Sequence, residues 1–186
     1  MAPERSLRIV AGAHGGRRLR SPGRGEEVRP TTERVREAVF SMLGSPGGRV
    51  LDLYCGSGAY GLEALSRGAA HATLVDRDPK LAASNAALLG AEAKTEIVAG
   101  DSVRWLARTP PPTGGYDLVF CDPPYRLAAL IGPELDKALP PHLAANARVV
   151  CESASGDPIE LELELVRERS YGGSMIRIYG VPEGAR

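Results

Sequence analysis

Apolar and polar positions along this chain change period several times, and the changes mark out its elements. From residue 49 onward, short apolar runs of strand length are separated by segments with helical spacing. Residues 49–54, 72–76, 95–99, 117–121 and 148–152 read as strands. Leu118-Val119-Phe120-Cys121 is unbroken, as in a parallel strand buried on both faces. Residues 59–67, the stretch after Asp78-Pro79 up to Gly90, 102–107 and 133–139 read as helices. Gly68 stops the first of these, and Asp78-Pro79 gives the second an N-cap followed by proline at the first helical position. Such alternation implies right-handed crossovers and an α/β fold with a mostly parallel, Rossmann-like sheet. The end of the chain differs. Ile159-Glu160-Leu161-Glu162-Leu163-Glu164-Leu165 alternates strictly, as a half-exposed strand should. Residues 175–179 follow Tyr171-Gly172-Gly173 as a second strand, so an antiparallel C-terminal hairpin is expected.

The first 30 residues form a separate region. Arg8-Ile9-Val10-Ala11-Gly12 and Arg17-Arg18-Leu19-Arg20 flank a glycine-rich turn and predict a small β-hairpin. Such a hairpin is unstable alone and must lie against the main domain. After Pro30-Thr31-Thr32, residues 33–43 carry Val35, Val39, Met42 and Leu43 on one helical face, and Gly44 provides the stop. The expected division is a basic extension over 1–30 and a catalytic domain over 31–186.

Charge sharpens this division. Net charge is zero, yet residues 1–44 hold nine Arg and five Glu, while the remainder holds fourteen basic and eighteen acidic residues. A basic arm on a neutral protein suggests local contact with phosphates. At 186 residues the chain is about the size of one domain, with at most a small appendage. No apolar run approaches the roughly 18 residues of a membrane span. No secretory signal is visible at Met1-Ala2-Pro3-Glu4-Arg5, so a cytoplasmic protein is expected. Cys55, Cys121 and Cys151 stand singly, which argues for reduced thiols and against disulfides or zinc. His14, His71 and His142 have no ligand spacing, so no metal is expected.

Gly56-Ser57-Gly58-Ala59-Tyr60-Gly61 matches the dinucleotide fingerprint, and Asp76 follows Gly56 by twenty residues. A nicotinamide enzyme is therefore one reading. Against it, Asp52 sits inside the strand that enters the loop, giving Asp-x-x-x-Gly-x-Gly, a spacing typical of adenosylmethionine sites. A carboxylate there suits a cationic methionine end, whereas beside a pyrophosphate it would repel. Asp101, after the third strand, can bond the adenine amino edge or simply N-cap the next helix. The candidate contacts to S-adenosyl-L-methionine are Asp52, Tyr54, Gly56, Ser57, Gly58, Asp76, Arg77, Asp101, Ser102 and Asp122.

Asp122-Pro123-Pro124-Tyr125 ends the fourth strand, where open α/β sheets bind ligands. An exocyclic base amine is a poor nucleophile because its lone pair is delocalised into the ring. Asp122 and the Pro123 carbonyl can accept its two N–H hydrogens and direct the lone pair at a methyl group. Pro123 and Pro124 stiffen the turn, and Tyr125 can stack on the base, a contact worth about 1–3 kcal/mol. Taken alone, Asp-Pro-Pro is a rigid turn. Placed behind this glycine loop, it points to methyl transfer.

These motifs resemble those of the RsmD family, bacterial methyltransferases that modify a guanine N2 in 16S ribosomal RNA. The resemblance rests on Arg8-Ile9-Val10-Ala11-Gly12, Gly16-Arg17-Arg18-Leu19, the stretch from Arg29-Pro30-Thr31-Thr32-Glu33-Arg34 to Phe40, and Gly61-Leu62-Glu63-Ala64-Leu65-Ser66-Arg67-Gly68-Ala69. Tyr54-Cys55 and Asp76 depart from the more usual Phe-Ala and Glu. The resemblance implies a seven-stranded class I S-adenosylmethionine-dependent methyltransferase fold. It further implies an assembling small subunit as partner and guanine 966 as target. A monomer is expected. Arg8, Arg17, Arg18, Arg20, Arg29, Arg34 and Arg36 are the candidate RNA contacts. The tetrapeptide by itself leaves adenine-N6 and cytosine-N4 transfer open, and a noncatalytic RNA-binding assembly factor is a further alternative.

Overall fold

The computed structural model describes residues 7–21 and 33–181. Helix α1 (Glu33–Leu43) precedes strand β1 (Arg49–Leu53) and helix α2 (Ala59–Ser66). Then come β2 (His71–Asp76), α3 (Lys80–Leu89), β3 (Thr95–Ala99) and α4 (Ser102–Arg108). The chain continues through β4 (Tyr116–Cys121), α5 (Tyr125–Ala138), β5 (Leu143–Ala154), β6 (Glu164–Tyr171) and β7 (Ser174–Gly180). Seven strands lie in the order β3-β2-β1-β4-β5-β7-β6. The first five pair in parallel, and β7 runs antiparallel to both β5 and β6. Strand order reverses between β1 and β4, which opens a crevice at their carboxyl ends.

Strand alternation divides the interior into two cores. Val50, Leu74, Phe120 and Val150 face one side with Val39, Phe40 and Leu62. Leu51, Leu53, Val119 and Val149 face the other with Leu135 and Leu139. Burying each such side chain contributes about 1.5–3 kcal/mol. Both faces of the sheet are covered, as the unbroken apolar strands require.

Four elements differ from the sequence-based expectation. Helix α5 begins at Tyr125, not residue 133, because it accommodates Pro133 within it. Strand β5 runs from Leu143 to Ala154, longer at both ends than residues 148–152. Helix α3 starts at Lys80, with Pro79 as its N-cap in place of Asp78. The last difference is the largest: residues 159–163 are not a strand, and β6 starts only at Glu164. Ile159 is 1% exposed, its carbonyl accepts the Tyr179 hydroxyl (2.6 Å), and Glu162 N–H donates to Asp136 Oδ1 (2.9 Å). Those anchors pull the segment over α5 and off the sheet. Strand β6 is then an exposed edge whose charged side chains discourage further pairing.

The expected N-terminal hairpin is short: an antiparallel bridge joins Arg8 and Arg18, and the N–H groups of Ile9, Gly16 and Leu19 donate to the carbonyls of Arg17 (2.9 Å), Ile9 (2.8 Å) and Leu7 (2.8 Å). Leu7, Ile9 and Leu19 join the core under α1 and α2. Buried Glu63, on α2, fastens this segment. Its carboxylate accepts N–H groups of Val10 (2.7 Å) and Ala11 (3.0 Å) and pairs with Arg67 (2.7 Å) and Arg36 (3.8 Å). Arg36 is fully buried and donates to the Arg8 carbonyl. Burial lowers its pKa, and Glu63 opposes that shift. Arg36 is therefore a packing cation and not the RNA contact expected from the sequence.

Removing Glu63 takes a carboxylate from beside the buried Arg36 guanidinium and leaves the Val10 and Ala11 N–H groups without their acceptor. Glu63→Ala should lose about 3–5 kcal/mol of stability by urea denaturation. A loss below about 1 kcal/mol would contradict this account of the hub.

Candidate active site

The crevice between β1 and β4 is shaped first by how closely α2 approaches the sheet. A Cβ on Gly61 would lie 2.2 Å from Leu74 Cδ2, so any side chain there would force the buried Leu74 or the helix to shift. At this approach Asp52, near the end of β1, accepts the Gly61 N–H at 2.9 Å. Asp52 is 2% exposed and serves to hold the loop's descending helix. Burial pushes its carboxyl up to about 7; the Gly61 N–H opposes the shift and the Asp76 charge adds to it.

Further hydrogen bonds fix the loop. Tyr54 is, among the described residues, the one non-glycine with positive φ (59°), a conformation costing about 1–2 kcal/mol. Its N–H donates to Ser102 Oγ (3.2 Å), while Cys55 N–H donates to the Val75 carbonyl (3.1 Å). Asp76 accepts Gly56 N–H on one oxygen (2.9 Å) and Asp78 N–H on the other (3.0 Å). Gly56 has φ 52°, and a Cβ there would meet open space, which leaves the loop accessible to a ligand. Asn85, missed in the sequence, is fully buried; its amide donates to the Ser57 and Arg20 carbonyls (2.9 and 3.0 Å). Nothing in the local pattern of α3 sets this residue apart from an ordinary polar helix position.

Asp101 N-caps α4 by accepting Arg104 N–H (3.1 Å), the structural reading of that residue. Its second oxygen accepts from Arg77 (2.6 Å). The Arg77 guanidinium, with help from the Arg104 N–H, holds the Asp101 carboxyl below its usual range. Arg77 and Asp101 thus meet at the rim, while the Ser102 side chain is spent on the loop backbone.

Asp122 stands half-buried beyond β4, with Pro123 buried and Pro124 as the N-cap of α5. Tyr125 opens that helix; its ring is outside the described side chains. Beneath Asp122 lies an aromatic stack, with Tyr60 and Phe120 centroids 4.5 Å apart and 18° between planes. The Tyr60 hydroxyl donates to buried Glu152 Oε2 (3.1 Å). Glu152 is a second residue that sequence reasoning missed. An acid near the end of an apolar strand was the available signal, the same one Asp122 gives, but no proline turn follows it.

Of the candidate RNA contacts, Arg8, Arg17, Arg18, Arg20 and Arg34 are exposed. Arg8 pairs with Glu33 (2.8 Å); Arg17 donates to the Leu88 and Leu89 carbonyls at the end of α3, and Arg20 to Ser84 Oγ. Arg29 lies outside the described residues. Cys121 and Cys151 are register partners and buried, and the Cys121 thiol is pushed up first by its hydrogen bond to Cys151 and then by burial. No group of three His, Cys, Asp or Glu among the described residues is placed to hold a metal. A proline-lined hollow at Pro111, Pro112, Pro140 and Pro141 has no charged lining and lies at the opposite ends of β4 and β5.

Asp52, Asp76, Asp101 and Asp122 lie at or beside the carboxyl ends of four adjacent strands. This set disfavours a pyrophosphate and fits a ligand carrying positive charge beside a ribose and a base. Glycines 56 and 58, both with positive φ, give such a ligand close backbone approach.

A family model described as "Conserved hypothetical protein 95" matches residues 7–180. Ribosomal RNA small subunit methyltransferase D of Escherichia coli is 40% identical over 132 residues, covering 67% of this chain and 63% of that protein. YlbH of Bacillus subtilis is 39% identical over 125 residues, covering 64% and 67%. Among solved structures, the yhhF protein of Escherichia coli is 34% identical with a TM-score of 0.79, covering 96% of this chain and 99% of that one. A Salinibacter ruber RNA methyltransferase solved with S-adenosyl-L-homocysteine shares the fold at a TM-score of 0.63 and 18% identity, covering 85% and 97%.

The raised Asp52 carboxyl has a consequence for stability. Its folded pKa lies above the unfolded value of about 3.9, so the folded state holds the proton more tightly. That contribution is full below about pH 4 and is lost as pH rises through about 7. The melting temperature of Asp52→Asn relative to wild type should therefore rise between pH 5 and pH 8. A constant difference across that range would contradict the shift.

Proposed function

The chain belongs to the RsmD family, and on that footing we propose that it methylates an exocyclic guanine N2 of 16S ribosomal RNA. In this reading the donor is S-adenosyl-L-methionine and the target is guanine 966, in an assembling small subunit. The protein acts as a cytoplasmic monomer. One observation carries the proposal: Asp122-Pro123-Pro124 turns off β4 directly across the switch point from the glycine loop.

When bound, the donor supplies an electrophilic methyl carbon on a sulfonium. The loop at Gly56 and Gly58 gives it room, Asp52 and Asp76 set the loop and the local negative charge, and Arg77, Asp101 and Ser102 bound the adenine side. Tyr54 flanks it from the strand end. Asp122 and the Pro123 carbonyl accept the two hydrogens of the target amine. That rotates the nitrogen lone pair out of the ring plane and stabilises positive charge as it develops. Two consecutive prolines and the start of α5 hold these acceptors rigidly, and misplacement by about 1 Å can cost about a hundredfold in rate. Tyr125, at the first turn of α5, is the proposed stacking platform. Arg8, Arg17, Arg18 and Arg20 on the N-terminal segment, Arg34 on α1, and Arg29 are the proposed phosphate contacts.

Asp122→Ala should lower kcat about a hundred- to a thousandfold while leaving S-adenosylhomocysteine affinity within about twofold by calorimetry. Retained turnover would remove Asp122 from the chemistry. Replacing the exposed pair Arg18 and Arg34 with Ala should weaken RNA binding and flatten the log K against log salt plot by about 1–2 units. An unaltered slope would take this face out of the RNA interface.

A further inference from the structure

Two carboxylates lie near the carboxyl ends of neighbouring strands, and so far only Asp122 has a part in recognising the base. The β4–β5 register pairs Cys121 with Cys151, so Asp122 and Glu152 follow at the same level. Phe120 and Val150 lie in the core under α1 and α2, and Cys121 and Cys151 in the opposite core. Alternation therefore turns Glu152, and Asp122 beside it, toward the α1–α2 face. Tyr60 corroborates this placement. It stacks on Phe120 and donates its hydroxyl to Glu152, and the charges of both Glu152 and Asp122 act on it.

Glu152 is 5% exposed. A carboxylate so buried carries a desolvation penalty of several kcal/mol, and an apolar residue would fill the position at lower free energy. The Tyr60 hydroxyl that it accepts is one use for the acid; its neighbour supplies another, because a base amine held by Asp122 brings the adjoining ring atom toward Glu152.

We propose that Glu152 selects guanine, by accepting its N1–H while Asp122 and Pro123 hold the adjacent N2 amine. The proposal rests on the methyl-transfer reading above. Beside its amine guanine presents N1–H, a donor, whereas adenine presents the N1 lone pair and cytosine the N3 lone pair. A lone pair facing the Glu152 carboxylate is repelled. The tetrapeptide accepts any exocyclic amine; its strand neighbour restricts the choice. Tyr60 fixes the orientation of the carboxylate through its hydroxyl.

The test uses small subunits reconstituted with 16S rRNA carrying either guanine or 2-aminopurine at the target. The analogue keeps the C2 amine but has a lone pair at N1. Wild type should favour guanine by about a hundredfold in kcat/KM, since sites built around a hydrogen bond reject analogues that lack it. In Glu152→Gln the side-chain amide can donate to that lone pair, so the preference should fall to within about tenfold. S-adenosylhomocysteine affinity should stay within about twofold of wild type. A variant that keeps the wild-type preference overturns the inference, whatever its absolute rate. A wild-type ratio near one overturns it without any variant. If the guanine subunit is not methylated although cofactor binds, the methyl-transfer reading has failed and the inference with it.

Discussion

The distance between α2 and the sheet is the constraint on which the rest of the site depends. Gly61 lets the helix settle against Leu74, and at that distance the buried Asp52 carboxyl accepts its N–H. The loop between them then has little freedom. Tyr54 takes a left-handed conformation, Cys55 and Gly56 are drawn to the end of β2, and Ser57 is held by Asn85. Helix α2 continues from this loop to Glu63, which secures the N-terminal segment. Proposed cofactor loop and proposed RNA arm are thus two ends of one short helix.

The acids around the crevice do different work according to burial. Asp52 and Asp76 are spent largely on backbone N–H groups, so their contribution to a ligand is the shape and potential of the loop. Asp101 caps α4 and meets Arg77 at the rim, where solvent screening keeps such a pair weak. Asp122, just beyond β4, and Glu152, on adjacent β5, face a side of the sheet lined by Tyr60, Phe120 and Phe40. An apolar, aromatic floor beneath two carboxylates suits recognition of a flat base edge rich in N–H donors.

Much of this was legible in the sequence, and the misses have physical causes. Strands β1 to β5 and helices α1 to α4 were read from apolar periodicity and from Gly and Pro punctuation, and the seven-stranded sheet from resemblance. Helix α5 was cut short because Gly132 and Pro133 look like breakers. Gly132 is instead where the helix passes the Glu160 carbonyl, 2.3 Å from where a Cβ would stand. The alternation of residues 159–165 promised a strand, but buried Ile159 and the Asp136 contact outweigh pairing there. Arg36 was grouped with surface arginines although it sits four residues before Phe40, on the buried face of α1. Tyr60, Asn85 and Glu152 were missed because their partners lie 92, 65 and 92 residues away in sequence, and only strand register and helix packing bring them together.

The central claim is that this crevice moves a methyl group onto a guanine amine of ribosomal RNA. The most direct measurement incubates the protein with methyl-labelled S-adenosylmethionine and small ribosomal subunits from cells lacking the corresponding gene. The label is then mapped by nuclease digestion and mass spectrometry. The account predicts label on the N2 amine of a single 16S guanine. Label on an adenine N6 or a cytosine N4, or none with cofactor bound, would contradict it.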